Sequence, residues 1–434
     1  MSTYPLMAQE RRDVYTGAGA RTGVDRVVLT LMTLGLIAAS VAFIDYQAAV
    51  KVQLQPDEFF SATIVKSPTY YAAHAIQVVL LFVAGLLALA YTDTRMIQRG
   101  YLRRFILLVG AVLLMTARGY STSDLLSVKL VDATGPFPFL IAVLVFVAAR
   151  RNNWRYLSNV MVLLATLFSV LSLLGMAGLH TFSRQEAVAA IGGTLTGLFW
   201  PASWLVLTPN LHPALLGRLR FVPIVIYVLG SLFVQTRLNV VMIFGLIAVY
   251  AYLEHKRHVS RAAGWIATVA MLSWLCLFTS VFLRDTRVYD RLDSVAAAFS
   301  SRLDDDTRTG QLQSFGEDVA PHELLLGRGS FASWNWSGVS WKGGTDVGYL
   351  SLLFFGGVPL MLTYFVTHLM PALEVLRTKA TDVQLTSAGV VLLWGLRMFS
   401  SSYSGLGIDY YPILFCVGIC ISRDTSGDCC SRVV

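Results

Sequence analysis

Little in this sequence is charged: Asp, Glu, Lys and Arg make up 14% of 434 residues, against roughly 25% in soluble domains. With 55% of residues hydrophobic, too few polar side chains remain to cover the surface of a soluble core. The composition excludes a single soluble domain and leaves an all-α polytopic membrane protein. Cysteine is scarce as well. Cys276, Cys416, Cys420, Cys429 and Cys430 fall in apolar runs or the C-terminal tail, away from the one long polar interval, so no disulfide framework is indicated. Cys429-Cys430 reads as reduced thiol beside a membrane, with acylation as the alternative. The first apolar run lacks a small-residue cleavage site and reads as an uncleaved helix. No internal repeat relates the two halves, which counts against inverted-repeat transporter folds.

The net charge of +8 would suit nucleic acid if it were gathered in one patch. Instead the arginines stand in short clusters between apolar runs, the pattern of the positive-inside rule. Parity of those clusters gives about twelve transmembrane helices with both termini cytoplasmic. Residues 1–26 form a cytoplasmic tail, and 27–283 a membrane region of about nine helices. Residues 284–344 form one long external loop, 345–422 about three further helices, and 423–434 a second cytoplasmic tail. Within the first region, 221–253 is apolar except for Gln235, Thr236, Arg237 and Asn239. It reads as a tight hairpin or a long helix with a buried arginine, and parity favours the hairpin, with Arg237 near the outer face.

The long loop carries most of the polar chemistry. Arg284, Arg287, Arg291, Arg302, Arg308, Arg328 and Lys342 stand against acids that include Asp304-Asp305-Asp306, Asp318 and Glu323. Arginine on the translocated side suits an anionic ligand, because guanidinium matches phosphate oxygens two at a time and stays charged. The plainer explanation for any one of them is a surface ion pair. Arg237 differs, since an ionisable residue in a membrane stretch is costly and points to function, the alternative being a snorkelling helix-end arginine. Asp346, at the mouth of an apolar run, is either a helix N-cap or a chemical group. Asp304-Asp305-Asp306 offers carboxylates to a divalent metal, though consecutive residues diverge in direction. Trp334, Trp336 and Trp341 suit sugar stacking or anchoring at the membrane interface.

One order of short motifs runs through the second half. Thr236-Arg237 breaks an apolar run, and Arg308 lies in a late external loop. Leu326-Gly327-Arg328-Gly329-Ser330-Phe331 and Thr345-Asp346-Val347-Gly348-Tyr349-Leu350 follow, then Gly356-Gly357. Over residues 222–365 this order resembles the O-antigen polymerase and ligase superfamily, the Wzy-type polymerases and their ligase relatives. Asp346-Val347 stands where many ligases have His-Asn, which is closer to the polymerase variants. Leu312 stands four positions after Arg308 where an aromatic is common, which leaves Arg302 as a competitor for that role.

The resemblance implies a glycosyltransferase of the GT-C type in the bacterial inner membrane, with its long loop in the periplasm. It would transfer a glycan from undecaprenyl diphosphate to a lipid-linked repeat unit, with inversion and without metal or other cofactor, in exopolysaccharide or O-antigen synthesis. Asp346, Arg237 and Arg308 are the expected catalytic residues, and Arg302, Arg328 and Tyr349 the expected substrate-binding ones. Fixed arginines would take the leaving group's charge where other enzymes use a metal, and Asp346 would take the acceptor's proton. A co-polymerase that sets chain length is the expected protein partner, with no nucleic acid. A ligase passing finished glycan to a lipid acceptor is the alternative, and a secondary transporter is the reading from another class.

Overall fold

The computed structural model describes residues 23–53, 66–119, 135–179, 184–208, 219–234, 237–257, 307–336, 339–341, 345, 347–378, 380–399 and 408–423. These are mostly helical. In hydrocarbon every backbone N–H and C=O must find its partner inside the chain, and an apolar run achieves that as a helix. α1 (Gly23–Gln53), α2 (Pro68–Ala90), α3 (Tyr101–Gly119), α4 (Phe137–Ala149), α5 (Trp154–Ala177) and α6 (Val188–Leu207) come first. α7 (Val222–Val234) and α8 (Arg237–Lys256) follow. Next come α9 (Thr307–Asp318), α10 (Glu323–Leu326) and an antiparallel hairpin of β1 (Trp334–Trp336) and β2 (Val339–Trp341). α11 (Gly348–Arg377), α12 (Asp382–Arg397) and α13 (Tyr411–Ile421) close the series.

Six of these helices, α1, α2, α5, α6, α8 and α11, are long and apolar enough to cross a bilayer. Each apolar run read from the sequence falls on a described helix, except the ninth at 265–282, which lies outside the described residues. The stretch 221–253 is two helices, with Arg237 opening the second. Large apolar side chains cover the outside: Leu163 and Leu174 are 66% and 65% exposed, which water would not tolerate in rows but lipid does. The bundle is that of a multi-pass membrane protein.

Alternate helix ends are tied together by arginines. Arg104 at the start of α3 pairs with Glu374 near the end of α11. Arg150, just after α4, holds Asp25 at the start of α1 at 3.0 Å. Arg257, just after α8, reaches the Leu207 carbonyl at 2.9 Å, Thr386 Oγ1 at 2.9 Å and the Asp382 carboxylate at 3.2 Å. These contacts gather the starts of α1, α3 and α12 with the ends of α4, α6, α8 and α11 at one level, as an up-and-down bundle requires.

Two short helices occupy the centre. α13 has 11 residues, about 16 Å at helical rise, roughly half a 30 Å hydrocarbon core. It is buried on every side, and so is most of α4. They pack on each other, with Gly418 against the Val145 carbonyl, the close approach that small residues permit in membrane bundles. α13 ends where Gln98 N–H donates to the Ile421 carbonyl at 2.8 Å, beside the arginine-tied level. Its first residue, Tyr411, therefore sits deep within the bundle.

Candidate functional site

At the opposite end from the arginine ties, α11 is broken, and the break organises the site. Gly357 has φ 68° and ψ −168°, outside the helical region. Pro359 has no N–H for the Phe355 carbonyl four residues earlier. The Phe354 and Phe355 carbonyls are filled instead from the loop, by Arg328 N–H at 2.7 Å and Gly329 N–H at 2.9 Å. One residue on, Ser330 N–H donates at 3.1 Å to the Met115 carbonyl near the end of α3. Arg118 Nε donates to the Gly327 carbonyl at 3.0 Å. The Gly327-Arg328-Gly329-Ser330 segment is thus a backbone clamp between two helix ends.

Arg328 lies at the centre of that clamp with all five donors engaged by the protein. Nε and one Nη donate to Glu323 at 3.1 and 3.0 Å, and the other Nη donates to Asp318 Oδ2 at 2.9 Å. The remaining two reach the Ser333 carbonyl at 3.1 Å and the Asp318 carbonyl at 2.6 Å. Its guanidinium also lies 5.7 Å from the centre of the Phe354 ring. The hydrogen bond from Arg328 holds the Glu323 carboxyl below its usual range, against the opposing effect of burial. Arg328 here fastens α9 and α10 to the clamp and presents no open donor to a substrate.

α9 is seated by aromatics. Phe315 packs on Trp334 at 5.3 Å and on Phe354 at 5.5 Å between ring centres. Trp334 is buried and belongs to this core. The side chains of Trp336 and Trp341 lie outside the described residues. Leu312 is exposed, and Phe315, three positions on, fills the interior aromatic place.

The start of α11 is held equally firmly. Gly348 N–H donates to the Met398 carbonyl at 2.8 Å, joining the start of α11 to the end of α12. Ser351 Oγ donates to the Thr345 carbonyl at 2.9 Å, and Thr345 Oγ1 bonds around Val347. Tyr349 OH donates to the Gly395 carbonyl at 3.2 Å, and its ring lies 4.7 Å from that of Phe399. The N-cap of α11 is Val347, one position past Asp346. Asp346 and Arg302 lie outside the described residues, as do Asp304-Asp305-Asp306. Arg237 and Arg308 are placed by backbone only, as the first residue of α8 and the second of α9.

Two polar groupings inside the bundle were not singled out from the sequence. In one, His368 Nδ1 donates to the Tyr364 carbonyl at 2.9 Å, so Nε2 accepts from the Tyr410 hydroxyl at 3.0 Å, which also meets the Tyr364 hydroxyl. In the other, Arg397 in the last turn of α12 lies 5.5 Å from the Trp200 ring centre and 3.4 Å from Thr196 Oγ1. Asp409 and Tyr227 are near enough to act on its charge. The signal for Arg397 was present, because it is a cation within an apolar run. His368, also ionisable within an apolar run, carried the same signal, whereas Tyr410 gave none, since their partnership depends on how α11 and α13 meet.

Compared with known proteins, the chain matches no protein-family model and no curated sequence.

Proposed function

We propose that the chain is a polysaccharide polymerase of the bacterial inner membrane, a glycosyltransferase that lengthens lipid-linked glycan at the periplasmic face. Its about twelve spans would leave both termini in the cytoplasm, on the side of the arginine ties. The observation that carries the reading is the clamp. Through it the loop segment that includes α9 is joined to α11, the helix at whose start Thr345 and Val347 flank Asp346. Arg308 and Asp346 thus belong to segments fastened to one helix.

In the reaction, the acceptor hydroxyl of one lipid-linked repeat unit attacks the anomeric carbon of a glycan on undecaprenyl diphosphate. Asp346 takes the hydroxyl proton as the new C–O bond forms. The bond from the anomeric carbon to the diphosphate oxygen breaks, and the electron pair leaves with undecaprenyl diphosphate. Arg237, Arg308 and Arg302 meet the developing charge. One displacement inverts the anomeric centre. Arg328 serves by holding the loop, and Tyr349 by lining the mouth of α11.

The test is the glycan profile of a deletion strain complemented with wild type or Arg237→Ala. Single repeat units accumulating on the carrier, restored to polymer by wild type alone, support polymerisation. Finished polymer accumulating on its carrier indicates a ligase, and unchanged polymer in the deletion removes both.

A further inference from the structure

The arginines of this bundle differ in how many of their donors the protein uses. Arg328 uses every donor within the protein, and Arg257 binds two backbone carbonyls, a hydroxyl and two carboxylates. Arg397 makes one hydrogen bond among the described residues, to Thr196 at 3.4 Å, the long end of the range. Asp409 is near enough to act on its charge but forms no ion pair with Arg397 among the described residues, where most of the Arg397 N–H donors have no hydrogen-bond partner.

Its depth makes this informative. Arg257 ties Leu207 and Asp382 at one level. From that level, helical rise places the Arg397 Cα about 22 Å up α12, and Thr196 and Trp200 about 17 and 10 Å up α6. The guanidinium, set against Thr196 and Trp200, therefore lies below its own Cα, as side chains lean toward a helix N-terminus. A snorkelling arginine at this end would turn the other way, toward the nearer aqueous boundary. Arg397 points into the bundle against α6, and it is half-buried. A cation at such depth is costly, and N–H donors left over from Thr196 can take the oxygens of an anion.

Resting on the polymerase reading, we propose that Arg397 anchors the diphosphate of the lipid carrier. It sits in a site formed with Thr196, Trp200, Tyr227 and Asp409. An isoprenoid diphosphate reaches this depth because its tail lies in hydrocarbon while its oxygens match the guanidinium fork. The Met398 carbonyl, next in sequence to Arg397, receives Gly348 N–H at 2.8 Å, so the anchor is fastened to the segment that carries Asp346. An anionic phospholipid headgroup offers the same phosphate chemistry from a different source, and the test separates the two.

The purified full chain in phosphatidylcholine nanodiscs is titrated with radiolabelled undecaprenyl diphosphate, alone and against phosphatidylglycerol. Wild type binds, and phosphatidylglycerol competes weakly. Arg397→Ala loses at least tenfold in affinity, and Arg397→Lys falls between, keeping the charge without the fork. Arg397→Gln, which retains a donor for Thr196, replaces Ala if that variant does not fold. Asp346→Asn binds as wild type. Equal affinity in wild type and a folded Ala or Gln variant overturns the proposal, as does equal binding of phosphatidylglycerol and undecaprenyl diphosphate. The two readings fail separately. Arg397-dependent binding in a strain whose polymer survives deletion sinks the polymerase alone, and Asp346-dependent polymer with normal binding by Arg397→Ala sinks the anchor alone.

Discussion

Gly327 and Gly357 meet backbone to backbone. A Cβ on Gly327 would lie 2.6 Å from Gly357 N, and one on Gly357 would lie 2.5 Å from the Leu326 carbonyl carbon. Both have positive φ, 74° and 68°, a conformation that side chains resist. Alanine at either position is therefore strained in φ and collides with the opposite chain. Each substitution is expected to cost on the order of 1–3 kcal/mol and to release the loop from α11. Thermal unfolding of the purified protein, with limited proteolysis of the loop, checks this. An unchanged melting temperature and cleavage pattern would show that the clamp is dispensable.

Arg328 is expected to act on structure before chemistry. Arg328→Lys keeps the charge but cannot span two carboxylates and two carbonyls, so the loop loosens by about 1–2 kcal/mol. Affinity for undecaprenyl diphosphate should change less than twofold in the same protein. A large loss of affinity with unaltered stability would return Arg328 to direct substrate contact.

The same ion pair sets an acid limit. Arg328 lowers the Glu323 carboxyl in the folded state, so this contribution to stability is fully present above the ordinary carboxylate value of about 4.3. It is lost as pH falls through the lower folded value. Wild-type loop protection, followed by hydrogen exchange in α9 and α10, should hold at neutral pH and decline only below the ordinary carboxylate range. Glu323→Gln should remove that dependence. An acid transition unmoved by the substitution would place its cause elsewhere.

Inside the bundle, Tyr410→Phe removes the hydroxyl shared by His368 and Tyr364. In membrane bundles such hydrogen bonds average about 0.6 kcal/mol, so a small fall in melting temperature is expected. A fall several-fold larger would mean that the network holds α11 and α13 in place.

The helices were legible because hydrocarbon forces apolar runs into one conformation, and arginine clusters mark alternate ends. The Gly-x-Gly motif was legible as a motif but not as a clamp. Its partners on α3, Met115 and Arg118, are far away in sequence, and nothing local says that the loop fills the Phe355 carbonyl that Pro359 leaves. Arg328 stood out by its charge, yet its role depends on where Asp318 and Glu323 fall after the turn. Trp334 reads from the sequence as a sugar-stacking or interface-anchoring residue because burial against Phe315 is a tertiary fact. Arg397 was visible as a cation within an apolar run, but its contacts with Thr196 and Trp200 depend on how α6 and α12 meet. Asp346 and Arg302 rest on the sequence alone, and Arg237 and Arg308 on sequence and helix position.

The most direct measurement uses the full chain reconstituted in vesicles with lipid-linked repeat units, with product lengths followed over time. Wild type should join units into polymer. Asp346→Asn, folded and binding undecaprenyl diphosphate normally, should be slower by about 10²–10⁴-fold, the usual contribution of a general base. Polymer formed by Asp346→Asn at the wild-type rate, or repeat units left unjoined by wild type, would contradict the assignment.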